Sequence, residues 1–179
     1  MVRIHVKHGD GDGEFLYDTE TTSTIDEIAE DTIEIANLQL KIQYLAVEFE
    51  PQLSKLQGDT KVMPLVRALS EATSYASKDQ VRHSKPLSLY VLRDHKRSIE
   101  KEFLVTYSVM GLSSSDLQPF LSDLQLLEEN TVQLLWAGKE LTRGGKLCDF
   151  IGRNEKTKIV IRLQPPVPPP PSLSGGENS

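Results

Sequence analysis

The sequence predicts an α+β protein: an N-terminal β-hairpin plus two helices, a connector, a strand-rich C-terminal unit and a disordered proline-rich tail. Three observations predict it. Apolar and polar residues alternate at both ends, in "VRIHVKH" and "KIVIRL", which is the period of a half-buried strand. Between them, residues 25–36 repeat apolar side chains at helical spacing. After the last strand comes "PPVPPPP", a polyproline segment that cannot bury a core.

Each element has its own signal. In "VRIHVKHGDGDGEFLYD", Val2, Ile4 and Val6 alternate with Arg3, His5 and Lys7, and the Gly-Asp run supplies turn residues. Phe15 and Tyr17 alternate on the return strand. Thr24 followed by Glu27 is a capping-box pattern, and Ile25, Ile28, Ala29, Thr32, Ile33 and Ala36 form the stripe of the helix it opens. Leu38, Ile42, Leu45, Phe49, Leu53 and Leu56 predict a second helix that Pro51 kinks or restarts. Leu65, Ala68, Leu69 and Ala72 suit a short helix, and "SKDQVRHSKP" a polar linker. "LSLYVLRD" and "IEKEFLVTYS" are expected to be strands joined by a turn at "HKRS". A helix with the stripe Leu117, Phe120, Leu121, Leu124 and Leu127 follows, capped by Ser115 and Gln118. Then come the strand and turn "TVQLLWAGKEL" and a last strand with Ile159 and Ile161 on one face and Lys158, Val160 and Arg162 on the other. The expected divisions are 1–57 for the hairpin and helices, 58–86 for the connector, 87–164 for the C-terminal unit and 165–179 for the tail. Residues 86–166 are expected to fold alone and 1–60 are not, the front piece packing on the rear as one cooperative unit.

Composition narrows the function. The chain of 179 residues carries a net charge of −6. Residues 1–60 hold −9 of it and the remainder is +3. An acidic front half argues against nucleic acid, whose affinity rests on phosphate neutralisation. A single cysteine, Cys148, excludes an internal disulfide and suits a reducing compartment. No stretch has signal-peptide character or the length to span a bilayer, so a cytoplasmic protein without membrane insertion is expected.

Strand, strand, helix, strand, turn, strand over residues 88–164 is the order of a β-grasp domain. "LLWAGKELTRGGKLCDFI" followed by "EKTKIVIRL" resembles the second half of ubiquitin. A more specific likeness takes in the front of the chain. "MVRIHVKHGD", "KIQYLAVEFE" and "VQLLWAGKELTRGGKLCDFIGRNEKTKIVIRLQ" together resemble the Kurly family of cilia- and flagella-associated proteins. The matching features are Trp136, Lys139-Glu140-Leu141, Lys146 to Phe150 and Asn154 to Ile159. The likeness covers about residues 1–55 and 130–164. The chain departs from it in a shortened middle region and in a proline tail where the family has a charged extension. The resemblance implies a non-catalytic scaffold or assembly factor for motile cilia, working in the cytoplasmic assembly of axonemal dynein arms. It implies protein partners, axonemal dynein chains or dynein assembly factors, and a location in the cytoplasm and at the cilium or flagellum. The alternative is a ubiquitin-like adaptor of the degradation or chaperone machinery.

No catalytic residue, cofactor or metal is expected. "HGDGDGEF" lacks the third Gly and following helix of a dinucleotide fingerprint. Read as an EF-hand from Asp10, it places Phe15 and Thr21 where Gly and Glu are required. His5, His8, His83 and His95 are scattered, and His5 and His8 are expected on different faces. Cys148 has no base fixed near it, and Asp149 suits a backbone-accepting role in a turn. Trp136 is expected in the core. Gly175-Gly176 lies beyond the prolines, which argues against a processed modifier, and the prolines themselves suit an SH3-like or WW-like partner or a solvated tail. The candidate protein-binding residues are Leu135, Lys158, Val160 and Arg162. Alignment with ubiquitin puts them on the outer face of the sheet, either as an apolar patch rimmed by cations or packed within the chain.

Overall fold

The computed structural model describes residues 1–9, 13–55, 60, 62–110, 127, 128 and 130–165. The expected helix at 115–127, apart from Leu127, and the proline tail beyond residue 165 lie outside the described residues.

The alternating segments at the two ends of the chain form strands where periodicity places them. They are β1 (Val2–His8), β2 (Gly13–Thr19), β3 (Gln133–Trp136), β4 (Lys139–Glu140) and β5 (Lys158–Gln164). They make one five-stranded sheet in the order β2-β1-β5-β3-β4. β1 is antiparallel to β2 and parallel to β5, with Ile4 opposite Ile159 and Val6 opposite Ile161. This is the β-grasp arrangement, and both ends of the chain build it. The turn between β3 and β4 holds Ala137 and Gly138 at φ of 51° and 81°, the positive pair that a two-residue hairpin of matching twist requires.

Helix α1 (Ile25–Lys55) crosses the inner face of the sheet. Its start is closed by the capping box. The Glu27 amide donates to Thr24 Oγ1 at 3.1 Å, and the Thr24 amide donates to Glu27 Oε1 at 3.3 Å. The rear of the chain clamps the same end. The Ile25 amide donates to the Gly145 carbonyl at 2.8 Å, the Gly144 amide to Asp26 at 3.1 Å, and the Leu147 and Cys148 amides to the Ser23 and Thr21 carbonyls. The predicted stripe Ile25, Ile28, Ala29, Thr32, Ile33 and Ala36 is buried, as are Leu38, Ile42, Leu45 and Phe49. The two expected helices are one. Pro51 falls within the last turns of a 31-residue helix, where its missing N–H removes one intrahelical bond, to the carbonyl of the exposed Val47.

Helices α2 (Met63–Tyr75) and α3 (Leu89–Met110) pack on α1. α2 buries Leu65, Ala68, Leu69 and Ala72, the predicted stripe. α3 corrects the sequence reading. "LSLYVLRD" and "IEKEFLVTYS" are not strands joined by a turn; 89–110 is a single helix. Its buried residues, Leu92, Ile99, Phe103 and Thr106, repeat at helical rather than alternating spacing. The "HKRS" segment is one turn of this helix, with His95 and Lys96 half-buried and Arg97 and Ser98 exposed. Phe103 meets Phe49 with ring centroids 4.7 Å apart and ring planes tilted by 60°. Arg93 grips Glu34 of α1 with two bonds of 2.7 Å, which holds the Glu34 carboxyl below its ordinary pKa. Asn37 of α1 exchanges two hydrogen bonds with the Leu127 backbone, at 2.9 and 3.0 Å, and so fixes the return of the chain toward β3.

One buried polar cluster ties the layers together. Gln39 Nε2 donates to the carbonyls of Glu14 and Ala76 at 3.0 and 2.8 Å. That orients its Oε1 toward His8 Nε2, 2.7 Å away, so His8 is the donor of that bond. A short 3-10 segment, Lys78–Val81, and the chain after it close the β2 edge. The Leu87 amide donates to the Leu16 carbonyl at 2.9 Å, which removes an exposed strand edge.

Candidate protein-docking face of the sheet

The helices cover one face of the sheet, so the burial pattern along each strand shows what the other face presents. β5 reads exposed, buried, exposed: Ile159, Ile161 and Leu163 point into the core, and Lys158, Val160 and Arg162 point away from it. On β1, Val2, Ile4, Val6 and His8 are buried while Arg3, His5 and Lys7 are half-buried on the open side. The parallel register sets these side chains beside one another as Arg3 with Lys158, His5 with Val160 and Lys7 with Arg162. Leu135 of β3 is opposite Arg162 on the next strand and is half-buried. All four sequence candidates therefore share one face, with Val160 at its centre, 49% exposed.

Part of this face is covered by the chain itself and part is not. At the β2 margin, Leu16 is buried beside Pro86, and Arg3 Nη1 donates to the Ser84 carbonyl at 3.0 Å. Arg3 also makes a two-pronged pair with Asp18, at 2.8 and 2.9 Å, which raises its pKa further. His5 Nε2 lies 2.8 Å from Glu14 Oε1. Across β5 and β3 Val160 is 49% exposed, and no hydrogen bond or ion pair among the described residues ties Lys158 or Val160 to a covering segment. Lys7, Lys158 and Arg162 have no ion-pair partner among the described residues. Arg162 donates to the Gly9 carbonyl at 3.2 Å.

Arg3, His5 and Lys7 are members of the face that the sequence reading did not include. Their alternation with Val2, Ile4 and Val6 marks them as outward-facing, but nothing local says that β1 lies against β5. The other singled-out residues are not brought together. Trp136 packs on the core from a half-buried position. Cys148 is half-buried at the start of the short helix α4 (Cys148–Ile151). Asp149 accepts the Lys146 amide at 2.8 Å, the turn role expected of it. His5 and His8 are on opposite faces, His83 is exposed and His95 lies 5.3 Å from the Tyr75 ring. Among the described residues no three His, Cys, Asp or Glu side chains converge as metal ligands, and no helix is long and apolar enough to cross a membrane. The "HGDGDGEF" stretch connects the paired ends His8 and Gly13 of a hairpin, and residues 10–12 lie outside the described residues. Gly175 and Gly176 also lie outside them.

Residues 132–175 match the family model for Cilia- and flagella-associated protein 298; their described part is β3, β4, α4 and β5. The chain is 26% identical over 223 residues to Cilia- and flagella-associated protein 298-A of Xenopus laevis, with 92% of this chain and 76% of that protein covered. It is 26% identical over 224 residues to Cilia- and flagella-associated protein 298 of Danio rerio, with the same coverage. To the Homo sapiens protein of that name it is 26% identical over 223 residues, again covering 92% and 76%. No solved structure matches the chain. The chain is thus similar, over nearly its whole length, to proteins named for their association with cilia and flagella.

Proposed function

We propose that this chain is a non-catalytic scaffold or assembly factor for motile cilia, that it works in cytoplasmic assembly of axonemal dynein arms, and that it holds a protein partner on the open face of its sheet. The observation that carries this reading is the similarity along 92% of the chain to cilia- and flagella-associated proteins. The open face supports the docking part. Val160 and Leu135 give an apolar centre, and Lys7, Lys158 and Arg162 a cationic rim. An exposed apolar residue rimmed by charge is how transient protein interfaces are built.

The adaptor reading uses the same face, because the β-grasp arrangement is shared with ubiquitin-like modules. Recovered partners separate the two. Dynein heavy chains and assembly factors favour the ciliary reading, and proteasome or unfoldase subunits favour the adaptor.

The experiment that tests the proposal is loss of the gene in the organism that carries it. Cilia should form but beat weakly or not at all, with dynein arms missing in cross-section by electron microscopy. Normal arms on normally beating cilia would overturn it.

A further inference from the structure

We propose that the partner of the open face is an acidic protein segment in which a Leu-sized apolar side chain is flanked by carboxylates; this rests on the docking reading above. The inference comes from a local charge conflict. Parallel neighbours on one face of a sheet are about 5 Å apart, and residues two apart along a strand are about 7 Å. Arg3 is therefore beside Lys158, and Lys7 is beside Arg162. Like charges set directly opposite each other on adjacent strands destabilise a sheet. The chain relieves the conflict at one margin, where Asp18 takes Arg3 and Glu14 takes His5. It leaves Lys158 and Arg162 without an ion-pair partner among the described residues, and Lys7, in register with Glu14 of β2, faces a carboxylate already bonded to His5, in a protein whose net charge is −6. Among the described residues, folding gains nothing from the two unpaired cations, Lys158 and Arg162, that flank the exposed Val160. An anionic partner removes the repulsion and covers Val160 in one step.

The pattern also selects among anions. Lys158 and Arg162 flank Val160 at two residues on either side, and Leu135 extends the apolar centre past Arg162. A polyphosphate or polysulfate would satisfy the cations but leave Val160 and Leu135 unused. An extended peptide with a carboxylate on each side of an apolar residue satisfies both, with charge pairs guiding encounter and the apolar contact slowing release. The acidic carboxylates at the β2 margin, Glu14 and Asp18, set the side from which the peptide is excluded.

The test uses the full chain and a fluorescein-labelled synthetic peptide of alternating glutamate and leucine, followed by anisotropy at low and high salt. Saturable binding is expected, weakened roughly tenfold or more by Lys158→Glu with Arg162→Glu, and weakened by salt. Val160→Ser should weaken it at both salt concentrations. All three sites point away from the core, and Lys158→Gln with Arg162→Gln serves if the charge reversal lowers Tm. Equal binding of leucine-free polyglutamate overturns the inference, as does tighter binding of heparin. Low-salt self-association that these substitutions abolish, with no peptide bound, overturns it in favour of a second copy of the chain. The ciliary reading fails separately. If the Lys158 and Arg162 variant loses the peptide yet restores dynein arms in cells lacking the protein, the peptide inference stands and the assembly role of this face does not. If no peptide binds but Val160→Asp abolishes the arms, only the peptide inference falls.

Discussion

A chain cut to residues 86–166 is expected to be unfolded, with the proton spectrum of a random coil, although its sequence alone suggests a self-sufficient unit. β5 is the middle strand of the sheet, bonded to β1 on one side and β3 on the other. Removal of the first 85 residues strips β1, β2, α1 and α2 from it. Leu134, Leu141, Leu147, Ile159, Ile161 and Leu163, each buried to within 7% or less of full coverage, would lose the helix and strands they face. Each such side chain contributes about 1.5–3 kcal/mol when buried. Six of them together come to about 9–18 kcal/mol, comparable with the roughly 5–15 kcal/mol that separates folded from unfolded domains. The missing half of the sheet should also act as a docking partner. Mixing the fragment with residues 1–85 is expected to restore dispersed signals, and the intact chain should melt in a single transition. We therefore propose that residues 1–164 fold as one unit. Dispersed amide signals from 86–166 alone, or two separate transitions in the whole chain, would contradict this.

Gly13→Ala is expected to destabilise the protein by about 2–3 kcal/mol, large for the addition of one methyl group. A Cβ at position 13 would stand 2.1 Å from the imidazole of His8, directly across the hairpin. The ring has little room to yield. It is 1% exposed, bonded to Gln39 at 2.7 Å and set against Phe15 with ring centroids 5.9 Å apart. Moving it would disturb the Gln39 bonds to Glu14 and Ala76 that join the sheet to α1 and the end of α2. The two positions should be strongly coupled. In a His8→Ala background the added methyl has space, so Gly13→Ala there should cost well under half of what it costs in the wild type. Thermal or urea unfolding of the four proteins measures this, and additive effects would rule out the clash as the cause.

These two expectations mark where local sequence reading succeeds and where it stops. β1, β2, β5 and the α1 stripe are legible because each displays its own period over five or more residues, and one face of each is truly buried. The capping box at Thr24 is legible because its two partners are three residues apart. α3 is not. "LSLYVLRD" and "IEKEFLVTYS" are short apolar runs that alternate well enough to pass for strands, and the four polar residues between them pass for a turn. Only the packing of Leu92, Ile99 and Phe103 on α1 and α2 decides for a helix, and that packing is a property of the fold. The docking face was half legible for a related reason. The outward side of β5 could be read from Lys158, Val160 and Arg162. The neighbouring cations on β1 could not, because the parallel pairing of Arg3 with Lys158 spans 155 positions of sequence, and a β-grasp requires that long return without encoding it locally.

The claim that matters most is that the open face of the sheet performs the biological work. The direct measurement is rescue of ciliary beating, in cells that lack this protein, by the chain carrying Leu135→Asp and Val160→Asp. Both side chains lie off the core, so the variant should match the wild type in its melting curve. The account predicts that it accumulates to normal levels, fails to capture its partner and leaves cilia without dynein arms, while the wild-type chain restores them. Full restoration of beating by the stable double variant would contradict the account.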